Sequence, residues 1–496
     1  MTEENAKSFE KLAKGSFYLI LDNIVNLSLG ALFWIVLAKL IDAASLGQAM
    51  VVIAFATSVI GFAGYGVQVT ISKYISEYNA RGMPSISRKI LKLGIRLALL
   101  VSVSVAIVIA SLSGIISSEA YNDPSMTLLL ALAVLTFLPS QTIVSALMGA
   151  FQGSHQMKYA LVIDSIYQII RIAIAVILVS AALGSFGIII SFAVASIIAS
   201  LVGYAYFVPK IFSRRQDDNK SEFGGMRQIL KFSGHNYAAV GMKTFTAQIG
   251  VLLVGTQNFE LAAFYGLAVL ISNLVGGILT AVSRAMLPTA AEEWAKGTKR
   301  DIHGTLDSGI RLSMLISGFG FLILMVDPDH VLRLISEQYI EASDALRVLV
   351  VSSIIYSLGA IITSILNAAN RASEVAKIGL VSSGITIGLT FILATLWGIE
   401  GAALAMLAGS IAGLIMSLTI LKRKENMTVS MTSTVKPAVT IVLGLAVAYL
   451  IMFVMQNVIV ALAGALAVYA VASLAWRITT PKELRLLLAI MRKNRS

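Results

Sequence analysis

No cysteine occurs in the chain, so disulfides, thiolate metal sites and cysteine nucleophiles are excluded and the redox compartment is not legible. Charge is scarce too. Asp, Glu, Lys and Arg make up 13% of the 496 residues, against roughly 25% in an ordinary globular chain, which excludes an ordinary soluble enzyme. No GxxxxGK(S/T) phosphate loop is present, so nucleotide hydrolysis does not drive the protein unaided. Neither HExxH nor GxSxG occurs and histidines number four, which argues against hydrolase or metal chemistry. The chain reads as a non-enzyme that calls for no cofactor and no metal.

What is present is apolar sequence: 57% of the residues are hydrophobic, in long runs separated by short charged gaps. A helix needs about 20 apolar residues to span a bilayer. The runs place spans near residues 17–41, 46–72, 93–116, 126–150, 159–183, 187–209, 232–255, 261–286, 306–326, 345–369, 375–397, 401–421, 437–456 and 458–476. In lipid every backbone group must be satisfied within its own span, which makes these runs helices. The expected class is an all-α polytopic membrane protein of about fourteen helices. The apolar run after Lys7, Lys11 and Lys14 is too long for a cleaved signal peptide and reads as a retained first span.

The gaps alternate in charge. The amino terminus, the even-numbered gaps and the carboxyl tail carry Lys73, Arg81, Arg88, Lys89, Arg214, Arg215, Lys296, Arg300, Lys422, Arg423, Lys424, Arg492, Lys493 and Arg495. The odd-numbered gaps carry Asp42, Glu119, Asp123, Glu260, Asp327, Asp329, Glu337, Glu341, Asp344 and Glu400, against Arg333 and, at a membrane edge, Arg347. The basic side is cytoplasmic by the positive-inside rule, so both termini are expected inside. The net charge of +12 then reflects topology and attraction to anionic membrane lipids rather than nucleic-acid binding.

Three short patterns recur at nearly one offset. Glu77-Tyr78-Asn79-Ala80-Arg81-Gly82 and Gly94-Ile95-Arg96-Leu97 are echoed 215 residues later by Glu292-Glu293-Trp294-Ala295-Lys296-Gly297 and Gly309-Ile310-Arg311-Leu312. Ala150-Phe151-Gln152-Gly153 pairs with Ala368-Ala369-Asn370-Arg371 at an offset of 218, and Gly184-Ser185-Phe186-Gly187 with Gly398-Ile399-Glu400-Gly401 at 214. Chance similarity among apolar helices explains these matches poorly, because they fall in polar gaps. A duplication of six spans divides the chain into lobes at 1–225 and 226–426, with 427–496 holding two additional spans and a basic tail. An even number of spans per unit gives both halves the same orientation, an arrangement common in transporters.

Ionisable groups inside spans cost on the order of 2.5 to 3.5 kcal/mol each, so each is a functional candidate. Span 1 carries Asp22 and Asn26 one helical turn apart. Asp22 is open to a structural bond with a neighbouring helix or to an ion-coupling role. Lys39, near the outer end, either pairs with Asp42 or faces a cavity. Span 5 carries Asp164, Gln168 and Arg171, where Asp164 and Arg171 form either a neutral structural pair or a substrate contact. Span 7 carries His235, Asn236, Lys243 and Gln248. Lys243 has no acidic partner in its own helix and calls for water, a carboxylate from another span or an anionic ligand. His235, on the same face, is suited to titrate near neutral pH. Gln68 in span 2 and Asn273 in span 8 complete the polar set.

Leu46-Gly47-Gln48-Ala49 after span 1, Gly64-Tyr65-Gly66 leading to Ser72-Lys73-Tyr74-Ile75-Ser76-Glu77-Tyr78, and Gln152-Gly153 after span 4 resemble motifs of the oligosaccharide and polysaccharide flippases of the multidrug/oligosaccharidyl-lipid/polysaccharide exporter superfamily. Gln48-Ala49 departs from the usual aromatic residue. The resemblance covers the layout of all fourteen helices. It implies two six-helix lobes around a cavity lined by spans 1, 2, 7 and 8, open alternately to each side of a prokaryotic plasma membrane. The implied cargo is a polyprenyl-phosphate- or polyprenyl-diphosphate-linked oligosaccharide moved from the cytoplasmic to the outer leaflet for surface polysaccharide or glycoprotein synthesis. The implied partners are H+ or Na+ as coupling ion and, functionally, glycosyltransferases or a polymerase. Lys243, Arg284 and Lys39 are the cations suited to the diphosphate. Relatives include cation-coupled drug exporters in which a span 1 carboxylate binds the ion, and Asp22 keeps that alternative open. A second alternative is a membrane glycosyltransferase using Asp327-Pro328-Asp329 to hold a divalent cation, against which stands an acidic loop that merely caps a helix end.

Overall fold

The computed structural model of the chain describes residues 3–64, 66–81, 83–211, 241–295 and 299–476. No strand occurs among them. Twelve helices among the described residues are long and apolar enough to cross a membrane. They are span 1 (Leu21–Ala38), span 2 (Ala43–Ala63), span 3 (Ile86–Ala120), span 4 (Met126–Gly153), span 5 (Met157–Ser180), span 6 (Gly184–Ile211), span 8 (Phe259–Gly277), span 9 (Ile302–Val326), span 10 (Glu337–Ala368), Ala372–Glu425, span 13 (Met431–Met455) and span 14 (Val458–Ala475). The 54-residue helix Ala372–Glu425 would be about 80 Å long if straight, far beyond a hydrocarbon core of about 30 Å. Its backbone breaks at Trp397 and Gly398, the latter with φ of +56°, so it supplies spans 11 and 12. Residues 241–255 are helical and lie within the expected span 7. The chain is a polytopic all-α membrane protein with about fourteen spans.

The repeated sequence patterns mark repeated backbone geometry. At the end of span 4 the amides of Ser154, His155 and Gln156 donate to Ala150, Gln152 and Phe151. At the end of span 10 the amides of Ala369, Asn370 and Arg371 donate to Ile365, Asn367 and Leu366, the same three bonds displaced by 215 residues. His155 and Asn370 both sit at positive φ, 54° and 59°, as such helix ends require. The glycine pairs recur likewise. Gly184 and Gly398 have φ of +47° and +56°, and a Cβ on Gly187 or Gly401 would crowd Leu178 or Leu393 in the helix just left. Each pair lets two antiparallel spans turn and press together. The interrupted end of span 2 has a similar cause: Gly66, at φ 62°, starts a separate helix Val67–Ala80. Gly149 and Gly153 of span 4 lie against the Gln68 and Ser72 backbone of that helix, which accounts for glycine in the Gln152-Gly153 pair.

By contact the chain groups into two units, residues 1–270 with 379–405 and residues 271–378 with 406–496. Within the first, span 1 packs on span 5, and span 6 on spans 2, 4 and 5. Gln48 ties the start of span 2 to the turn before span 4 and to the start of span 6: its amide nitrogen donates to Asp123 at 2.8 Å and Ser125 at 3.2 Å, and its amide oxygen accepts from Ser185 at 2.7 Å. Within the second unit, spans 13 and 14 pack on each other and on span 9. Buried Tyr469 donates to the carbonyls of Met314 and Leu315 at 3.2 and 2.9 Å, where Gly318 leaves room for its ring.

Candidate functional site

Span 1 and span 5 meet along polar as well as apolar residues. Asn26 is the hub: its amide nitrogen donates to Asp22 at 3.3 Å and across the interface to Asp164 at 3.2 Å, while its amide oxygen accepts from Gln168 at 2.8 Å. The i, i+4 spacings of Asp22 with Asn26 and of Asp164 with Gln168 make this possible, because each pair occupies one helix face. Gln168 is buried, and its amide oxygen has no hydrogen-bond partner among the described residues. The Asn23 amide nitrogen is likewise buried and without one. Two carboxyls, an amide oxygen with spare lone pairs and a low-dielectric surround form an oxygen-rich site that balances best with a positive charge among its atoms.

Arg171, two turns further along span 5, is joined to Asp164 by no ion pair. Its guanidinium carbon lies 4.1 Å from the Phe33 ring centroid, 4.7 Å from Phe192 and 5.3 Å from Tyr167. The expected Asp164–Arg171 pair does not form, because Asp164 turns to Asn26 and the arginine finds aromatic faces instead. Arg171 is only 6% exposed and its Nε has no hydrogen-bond partner among the described residues. Desolvated cation–π contacts contribute about 2 kcal/mol or more, comparable with the insertion cost of one buried cation. Phe33 and Phe192 are themselves held edge to face, 5.4 Å apart, and Phe137 of span 4 meets Phe192 at 5.4 Å. These rings were missed from sequence. Only Tyr167, one turn before Arg171, left a signal there.

The other expected residues scatter. Lys39 is exposed at the end of span 1 and does not pair with Asp42. Asp42 instead caps span 2 by accepting from the Ser45 amide at 2.8 Å. Although partial burial pushes its carboxyl up, the Ser45 amide and hydroxyl hold it below the usual carboxylate range. Lys243 is exposed, with no hydrogen-bond or ion-pair partner among the described residues. Its neighbour Thr244 meets Gly61 of span 2. Gln68 and Gln248 are half-buried and Asn273 is exposed. His235 and Asn236 lie outside the described residues, as does the side chain of Arg284. After the end of span 9, Asp327 caps the helix Pro328–Arg333 by accepting from the His330 amide at 3.2 Å, and its carboxylate also meets the His330 ring at 2.7 Å. A capping role therefore accounts for that carboxylate.

Comparison with known proteins places this geometry in a family. Residues 12–294 match the family described as "Polysaccharide biosynthesis protein", and residues 214–465 match "Lipid II flippase MurJ". Stage V sporulation protein B of Bacillus subtilis (strain 168) is 23% identical over 424 residues, covering 80% of this chain and 81% of its own. The probable low-salt glycan biosynthesis flippase Agl15 of Haloferax volcanii is 24% identical over 398 residues, covering 79% and 80%. Among solved structures, the lipid II flippase MurJ in an inward closed conformation superposes with a TM-score of 0.74 at 16% identity, covering 93% of this chain and 98% of that one. An inward-facing multidrug resistance MATE family transporter of the MOP superfamily gives 0.66 at 14% identity, covering 82% and 96%. At these identities the structural likeness is one of fold.

Proposed function

The chain belongs to the polysaccharide biosynthesis protein family of the multidrug/oligosaccharidyl-lipid/polysaccharide exporter superfamily, and from that premise we propose that it is a flippase carrying a polyprenyl-linked oligosaccharide from the cytoplasmic to the outer leaflet. The observation that carries the reading is the pair of family matches, which together run from residue 12 to residue 465. Physical chemistry supports it. Each unpaired polar group of a glycan costs roughly 2 to 7 kcal/mol to move into hydrocarbon, so many hydroxyls cross only through a protein that offers them partners. Lys243, free of protein partners among the described residues, is suited to the phosphate or diphosphate of the carrier, with Arg284 and Lys39 as further cations. His235, Asn236, Gln248, Gln68 and Asn273 supply the polar contacts to sugar.

Transport proceeds by alternating access and is driven by H+ or Na+ bound at Asp22, Asn26, Asp164 and Gln168. The buried Gln168 amide oxygen, without a hydrogen-bond partner among the described residues and beside two carboxyls, supports this. A proton or small cation there neutralises the carboxyls and lets spans 1 and 5 move as one body. Its departure leaves like charges facing each other, and that difference couples the ion to the lobe. The protein sits in the plasma membrane of a prokaryote with both termini inside, as the positive-inside pattern supports.

The test is reconstitution. Purified protein in liposomes holding a fluorescent polyprenyl-diphosphate disaccharide is expected to move that lipid between leaflets, faster under an imposed proton or sodium gradient. Movement no faster than in protein-free liposomes, under either gradient, rejects the reading.

A further inference from the structure

A groove of about 580 Å³ runs along the second contact unit where the first turn of span 11 meets the last turns of span 12, and its lining includes Glu374, Ala412, Ile415, Met416, Ile420, Arg423 and Lys424. Its floor is apolar and its rim is basic. Both acids at this end are already engaged: Glu374 pairs with Lys377 at 3.2 Å, and Glu425, which is buried, pairs with Arg371 at 2.6 Å. Arg423 and Lys424 are exposed and have no ion-pair or hydrogen-bond partner among the described residues. The rim therefore holds two cations in want of an anion.

Depth identifies the kind of anion. From Lys424 to Ala412 a helix descends about 18 Å, close to one leaflet of a hydrocarbon core about 30 Å thick. A free phosphate uses the rim and leaves the apolar floor bare. A phospholipid uses both.

We propose that this groove is a binding site for an anionic phospholipid, its phosphate on Arg423 and Lys424 and an acyl chain along Ala412, Ile415, Met416 and Ile420. The site does not depend on what the protein carries.

The absence of cysteine allows a direct test in the full-length protein. Thr419, exposed on the groove lining, makes only a local bond to the Ile415 carbonyl. A bimane label on Thr419→Cys is expected to be quenched by brominated phosphatidylglycerol at far lower mole fraction than by brominated phosphatidylcholine. With each basic residue near the headgroups contributing about fivefold, the preference should be roughly 25-fold. Arg423→Gln with Lys424→Gln should abolish it, and Arg423→Lys with Lys424→Arg should keep it. Lys422→Gln, adjacent but off the lining, should leave it unchanged. Retention of phosphatidylglycerol by unlabelled protein, counted by native mass spectrometry, should show the same pattern and exclude an effect of the label. Equal quenching by the two lipids overturns the proposal, as does a Lys422→Gln loss equal to that at Arg423, which would mean diffuse surface attraction. Displacement by millimolar glycerol phosphate, or quenching reversed by a polyprenyl diphosphate and not by phosphatidylglycerol, overturns it as well.

Discussion

Removing one ring from around Arg171 tests whether those rings act as its counter-charge or only as packing. The guanidinium carbon stands 4.1 Å from the Phe33 centroid, the shortest of its three aromatic contacts. Phe33→Leu keeps most of the volume, so lost packing should cost about 1 kcal/mol. Loss of a desolvated cation–π contact should add about 2 kcal/mol. Arg171→Met removes the charge at similar volume and, as with other buried charges replaced by apolar groups, should be neutral or stabilising. In that background Phe33→Leu should cost only its packing share, about 1 kcal/mol. The double-mutant cycle therefore predicts a coupling of about 2 kcal/mol, read from reversible unfolding in mixed micelles. A coupling under about 0.5 kcal/mol, the usual limit of additivity, would refute the counter-charge role.

Other outcomes follow from the same geometry. Lys243→Glu should lower delivery of lipid-linked glycan to the outer leaflet without loss of protein from the membrane, as measured by surface labelling and immunoblot; wild-type delivery removes that residue from the mechanism. Gly401→Ala, whose Cβ would overlap the Leu393 carbonyl, should destabilise by about 3 kcal/mol, and Gly187→Ala, which meets Leu178 less closely, by about 1 kcal/mol, the two ends of the overpacking range; equal melting shifts contradict the tight-turn account. Asn26→Leu strands the buried Gln168 amide and should cost at least about 2 kcal/mol, while Gln168→Leu in the same protein should recover part of it.

The span layout was legible because the bilayer enforces a length and a composition on every crossing, and the recurring turn geometry because its marks lie at caps and turns. His155 and Asn370 differ in sequence yet share one backbone geometry 215 residues apart; the sequence echo beside them, at an offset of 218, found the right turns but aligned them three residues out of register. The polar faces of spans 1 and 5 were visible through their i, i+4 spacing, but their pairing was not. Nothing in a single sequence says that Asn26 reaches Asp164 rather than lipid. Arg171 shows the opposite failure, since Asp164 seven residues away was an obvious partner and the rings of Phe33 and Phe192 came from other helices. Whether Lys39 pairs with Asp42 was left open by the sequence, and a free helix end three residues away offered Asp42 a better donor.

The measurement closest to the central claim is gradient-driven translocation by the Asp164→Asn protein in liposomes. The change removes a charge and keeps the side chain's shape, so melting should move by less than about 1 kcal/mol equivalent. The wild type should translocate a polyprenyl-diphosphate disaccharide at least tenfold faster when a proton or sodium gradient is imposed. In Asp164→Asn the rate should be the same with and without the gradient. Undiminished acceleration by the gradient in that variant, and in Asp22→Asn as well, would contradict ion coupling at the span 1 and span 5 cluster.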